Sequence, residues 1–199
     1  MSYKVEVKLK SNNTMLENWD NPELHIEREK ENLQGGKKRA VKDQEYYERL
    51  ANLWKRTCFF DPEIGPFLPS DYIEANLVEA GKKLPLGHGS MKETVTRNVT
   101  VNDYPEKVPL IVKKKIRSIE DFERVGWLDV RVGNRNGSSI LLKRVRIPEW
   151  EMTFTLLIAD ESELSMNNLK KLYEIAATLG FGDWRPKFGT YDVVSIRRL

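Results

Sequence analysis

Met166–Ile196 reads "MNNLKKLYEIAATLGFGDWRPKFGTYDVVSI", a helix, a stop, a glycine loop and a strand in succession. Leu169, Leu172, Tyr173, Ala176 and Leu179 recur at the spacing of one helix face, and Ser165 stands ready to cap its N-terminus. Gly180 ends the helix as a C-cap glycine. One stop needs one glycine, so Gly182 and Gly189 ask for another reason. A loop short of side chains admits a partner backbone closely, and Arg185 and Lys187 supply charge beside it. The loop follows a helix rather than opening one, which excludes a P-loop or Rossmann cradle. An ordinary helix stop and a loop shaped for a phosphate backbone both stay open.

Working outward, "YKVEVKL" (Tyr3–Leu9) alternates as a half-buried strand. Tyr46, Leu50, Leu53, Trp54 and Thr57 fall at helical spacing, predicting a helix over 44–57. Ser70 is a good N-cap for a helix over 71–82 that buries Ile73, Leu77, Val78 and Ala80. Residues 84–118 read as a long excursion of short extended pieces and turns. After it, "GWLDVRV", "SSILLKRVRI" and "EMTFTLLIA" read as strands. The order is β–α–β–β–(β)–α–β. That predicts an α+β, ferredoxin-like (RRM-like) antiparallel sheet with helices on one face and the other face free. The expectation is a single domain over 1–199 with insertions at about 12–60 and 84–118.

At 199 residues and 40% apolar, the chain has material for one sizeable core and is not wholly disordered. No apolar run approaches the ~18 residues of a membrane span, and the N-terminus lacks a signal-peptide pattern. The expected location is therefore the cytoplasm. The lone Cys58 excludes an internal disulfide, and Cys58, His25 and His88 do not make a metal cluster. No cofactor is expected. The net charge is only +3, but the charges are segregated. Lys82, Lys83, Lys92, Arg97, Lys107, Lys113, Lys114, Lys115 and Arg117 face three acids over 82–117, and 130–148 is basic without any acid. Such segregation builds a basic face on a nearly neutral chain. Trp54, Trp127 and Trp150 sit in regular elements and read as core, while Trp184 and Phe188 lie in the loop.

The loop "GFGDWRPKFG" before the last strand resembles the C-terminal glycine-rich loop of the RAMP superfamily, the ferredoxin-like backbone and processing proteins of CRISPR systems. "LPSDYIEANLVEAGKK" is similar to the segment opening that family's first helix, and chain ends of this style resemble small bacteriophage proteins. Here the family's double-glycine, arginine-rich loop is diluted by Asp183, Trp184 and Pro186. The resemblance implies a phage-encoded relative that holds single-stranded RNA or DNA by its backbone, in copies stacked as a homo-oligomer along the strand. Carried over by position, the contacts are Ser70, Lys82, Lys83, Arg185 and Lys187, with Gly180, Gly182 and Gly189 forming the loop. Lys37, Lys38 and Arg39 belong to a palm extension; Lys92, Arg97, Lys113, Lys114 and Lys115 belong to a thumb hairpin. Cations for phosphates with little base-edge chemistry are what backbone gripping needs.

His88, in "LGHGS", is the one candidate for general acid–base cleavage and otherwise joins the contact surface. Its possible helpers Tyr104, Lys92 and Ser90 have no supporting spacing, and Asp103, Asp129 and Asp183 are scattered. The expectation is a non-catalytic binder. Two alternatives are a phage factor that mimics or inhibits a host nucleoprotein complex, and a metal-independent ribonuclease using His88.

Overall fold

The alternation in the first strand does what its period demands. In a computed structural model describing residues 1–17, 53–56, 58–102, 106–135 and 138–199, β1 (Tyr3–Ser11) buries Tyr3, Val5, Val7 and Leu9. The chain continues through β2 (Met15–Leu16), a 3-10 turn at Leu53–Arg56, β3 (Phe60–Asp61) and β4 (Gly65–Pro69). Next come α1 (Ser70–Lys83), the small hairpin β5 (Pro85–Leu86) and β6 (Gly89–Ser90), and α2 (Lys92–Asn98). Then follow β7 (Val99–Val101), β8 (Lys107–Pro109), β9 (Ile111–Val112) and α3 (Ile119–Arg124). A long hairpin, β10 (Leu128–Arg135) and β11 (Ser138–Ile147), leads to β12 (Trp150–Ile158), α4 (Met166–Leu179) and β13 (Tyr191–Arg198). The class is α+β with antiparallel sheets and, among the described residues, four helices.

The main sheet runs β13-β1-β12-β7, with β9 also pairing β12. All its pairings are antiparallel, Tyr3 facing Ile158 and Val7 facing Ile196. Helices α1 and α4 cover one face, merging Ile73, Leu77, Leu169 and Leu172 with Val5, Val7 and Phe154 in one core. The second face presents Lys4, Glu6, Lys8 and Lys10 from β1 and no ring from that strand. Its charges are largely self-compensated: Arg197 pairs Glu6, and Glu151 takes both Lys8 (3.5 Å) and Lys10 (3.3 Å).

Three local readings need correction. Ser70 is the first residue of α1, not its cap; Pro69 holds the N-cap position and the Ser70 amide donates to the Glu106 carbonyl at 3.1 Å. The hairpin β10–β11 stays out of the main sheet and builds a second one with β2. The place beside β12 falls instead to β7, three residues from inside the supposed excursion, too few to show a period. That excursion also folds a helix, α2, against α1. Of the helix expected over 44–57, the structure describes a 3-10 turn at Leu53–Arg56; residues 44–52 and 57 lie outside the described residues. Ser165 caps α4 as its sequence position implies, its Oγ accepting from the Asn168 amide at 3.3 Å.

Candidate nucleic-acid interface

The glycine loop is shaped first by its own chain. Gly180, Gly182 and Gly189 all have φ between +73° and +79°, where side chains are strained. A Cβ on Gly180 would lie 2.6 Å from the Gly189 carbonyl carbon; one on Gly182 would strike the Leu16 oxygen, and one on Gly189 the Phe181 oxygen. The loop lies tight on the 12–16 segment. Asp183 N donates to Leu16 O (2.8 Å), Gly189 N to Thr14 O (2.9 Å), and Phe181 N to Gly189 O (3.0 Å). The close approach these glycines permit is therefore to the protein's own backbone.

Its root is equally fixed. Asn76 of α1, 1% exposed, donates to the Ala176 and Gly180 carbonyls at the end of α4 (3.3 and 3.1 Å) and accepts from Tyr191 Oη (2.7 Å). The Ala176 carbonyl already accepts from the Gly180 amide at 3.0 Å, and Asn76, reaching both carbonyls from α1, caps the helix end from a neighbouring element. Phe181 stacks on Tyr191 at 4.8 Å beneath it. Burial pushes the Tyr191 phenol well above its ordinary value, so it stays a donor.

From the side, the β10–β11 hairpin grips the loop. Arg144, 2% exposed, pairs with Asp183, and its guanidinium lies 4.3 Å from the Trp184 ring. Arg131 lies over Trp184 (5.2 Å) and Phe188 (4.8 Å) and pairs with Asp129 at 2.8 Å. Trp184 has φ of 54°, a left-handed conformation for a bulky residue, which persists only where the surroundings enforce it.

Between this loop and the outer side of α1 runs a groove of about 560 Å³, lined by Ala75, Glu79, Leu179, Gly182, Asp183, Trp184, Arg185 and Pro186. Glu79 gathers the cations. Lys82 is hydrogen-bonded to it, and this bond, with the nearby charges of Lys82, Arg185 and Lys92, holds its carboxyl below the usual value. Of the sequence-derived contacts, Arg185 lines the groove, Lys82 bonds its Glu79, and Lys92 lies near enough to act on that carboxyl although it is far from Arg185 in sequence.

The other contacts are dispersed. Ser70 is buried at 4% exposure. Lys83 ends α1 on the surface, and His88 sits exposed at the β5–β6 tip with no partner among the described residues. Arg97 pairs with Glu163 at 3.5 Å, Lys113 pairs with Glu149, and Lys114 donates to the Val125 carbonyl at 3.0 Å. Lys115 is exposed, while Lys187 lies 5.8 Å over Phe188. Lys37, Lys38, Arg39, His25 and Tyr104 fall outside the described residues. Sequence reasoning missed Glu79, Asn76, Arg131 and Arg144. For the two arginines the only signal was an acid-free basic stretch, which does not say that one of them is buried.

No protein-family model matches the chain, and no curated protein matches it. A solved structure does: a chain of "Cryo-EM structure of the Type III-B Cmr-beta bound to cognate target RNA" aligns with a TM-score of 0.55 at 12% identity. The alignment covers all of this chain and 61% of that one, so this chain spans about three fifths of the neighbour's length. The likeness is one of fold. Among the described residues no helix is long and apolar enough to cross a membrane.

Proposed function

We propose that this chain is a non-catalytic binder of single-stranded nucleic acid, RNA or single-stranded DNA, and that the groove between α1 and the glycine loop grips the strand. The observation that carries the reading is the groove that Arg185 and Glu79 line, with Lys82 hydrogen-bonded to Glu79 and Lys92 near enough to act on its carboxyl. Phosphates need cations positioned without base-edge chemistry, and this groove offers that arrangement. The strand order β13-β1-β12-β7, with α1 following β1 and α4 following β12, supports a ferredoxin-like core. Fold likeness to a chain from an RNA-bound CRISPR effector supports a RAMP relative, and RNA as the first ligand to try. Fold alone does not assign function, which is why the groove has to carry it.

In this reading the chain works in the cytoplasm of a bacterial host, encoded by a phage, and copies bind side by side along one strand. The test is titration with a labelled single-stranded RNA over a range of salt. Log affinity should fall linearly with log salt, by about 0.7 for each phosphate contacted, and the RNA should come back uncut. Longer RNA should add bound mass in steps. Absence of binding at low salt overturns the reading, and a cleaved product lost in His88→Ala turns it into a nuclease.

A further inference from the structure

We infer that Trp184 is a stacking platform that receives one unpaired nucleobase inside the groove, so that the site selects single strands over duplexes. The inference rests on the binding reading above and specifies what the groove takes besides phosphate. Trp54, Trp127 and Trp150 are 1%, 6% and 1% exposed, whereas Trp184 is 36% exposed and lines the groove beside Arg185 and Pro186. An indole left in water at that cost in apolar surface is held there by specific structure. Asp183 bonds the Trp184 amide at 2.9 Å and is itself paired to the buried Arg144. Arg144 and Arg131 both lie over the ring, and Phe188 stands 6.5 Å away.

The strained φ of Trp184 points the same way, since such residues persist at ligand clamps where neighbours over-determine them. A ring fixed in advance loses little freedom when a base stacks on it. The two guanidiniums take up part of the ring and hold it, and the 36% of Trp184 that stays exposed in the groove is the part a base would meet. Stacking on a ring is tolerant of sequence because every base has a π-face. A base within a duplex is stacked on both sides and must leave the helix before it can enter.

The experiment compares wild type, Trp184→Ala, Trp184→Phe and Arg185→Ala on three ligands at one salt concentration: a single-stranded RNA, the same strand as a duplex, and an abasic strand of equal length. Trp184→Ala should weaken binding of the single strand about tenfold to a hundredfold and leave the abasic strand unchanged. Trp184→Phe should recover most of the loss, and wild type should prefer the single strand to the duplex. Arg185→Ala should weaken all three ligands. If Trp184→Ala binds the single strand like wild type while Arg185→Ala does not, stacking is overturned and phosphate gripping survives. If Trp184→Ala loses the single and abasic strands equally, the ring only supports the loop and stacking is again overturned. If wild type binds none of the three, the groove reading itself falls.

Discussion

The glycine loop and the lysine run Lys113–Lys115 look alike as sequence, each a short basic stretch beside a strand, but they are built differently. In the loop, the backbone is locked to residues 12–16, the acid Asp183 is taken by a buried arginine, and Arg185 lines a groove beside Glu79, whose carboxyl also feels Lys82 and Lys92. In the run, the charges turn back on the chain: Lys113 to Glu149 and Lys114 to the Val125 carbonyl. The lesson is that a count of cations measures supply. What matters for a polyanion is whether a rigid frame holds several of them toward one open space.

The largest expected effect tests the frame. Gly189→Val puts a branched side chain at φ +79° and drives its Cβ into the Phe181 oxygen. It should cost about 3 kcal/mol or more, a Tm loss of about 6–12 °C for a chain of this length. Lys115→Ala should leave the melt unchanged. If Gly189→Val melts like wild type, the loop is not locked and the contrast collapses.

Next comes binding. Arg185→Ala should lower affinity for single-stranded RNA about tenfold, the loss of one charge-assisted phosphate contact. The triple change Lys113→Ala, Lys114→Ala, Lys115→Ala should move affinity far less. It should also leave the salt slope near the wild-type value. If instead the slope flattens by about two, the run grips phosphates and belongs to the interface.

Legibility from sequence followed the same divide. Periodic segments were readable because one buried face writes its period into the chain: β1 and α4 with its Ser165 cap emerge as the alternation and stripe require, and the β11 stretch emerges as a strand. Strand β7 was not readable, since "VTV" is too short for its alternation to stand out. The hairpin was recognised but misplaced, because strand pairing depends on partners such as Met15 and Leu16 from far along the chain. In the site, Arg185, Lys82 and Lys92 were nameable as cations, and Gly182 and Gly189 as positions of close backbone approach. Their meeting around Glu79, the burial of Arg144 and the capping role of Asn76 depend on tertiary packing that leaves no local mark.

The floor beneath the loop offers a third, smaller test. Glu17, directly after β2, is fully buried; one oxygen accepts from the Phe59 amide at 2.9 Å and the other has no partner among the described residues. Burial raises its pKa well above the ordinary value, with Phe59 opposing more weakly. The stability tied to the neutral carboxyl is present below the unfolded value, 4.5, and is lost as pH rises toward the folded one. Glu17→Gln should therefore raise Tm by a few degrees at pH 8 and change little at pH 4. An equal shift at both pH values would mean that the carboxyl does not titrate between them.

The smallest effect is also the most pointed, because it asks whether the groove is made for an anion. Glu79 is the groove acid beside these cations, Asp183 being held by Arg144, and a phosphate arriving there must compete with it. Its carboxyl is held low first by the hydrogen bond from Lys82 and then by the surrounding positive charges, so it is ionised throughout the neutral range. Wild-type affinity should accordingly be flat between pH 6 and 8 as far as this group is concerned. Protonation arrives only below its depressed value. Glu79→Gln removes the competing charge at every pH while keeping the shape, releasing Lys82 and leaving Arg185 and Lys92 unopposed. The pair is exposed, and exposed pairs are worth well under 1 kcal/mol, so the gain in affinity for single-stranded RNA should be about two- to fivefold. The salt slope should steepen slightly, because one more cation is free to meet a phosphate. Weaker binding by Glu79→Gln would mean that the carboxylate orders these cations or receives the ligand itself, as it would for a basic peptide. The groove would then not be a phosphate site, and the loop would lose its functional distinction from the lysine run.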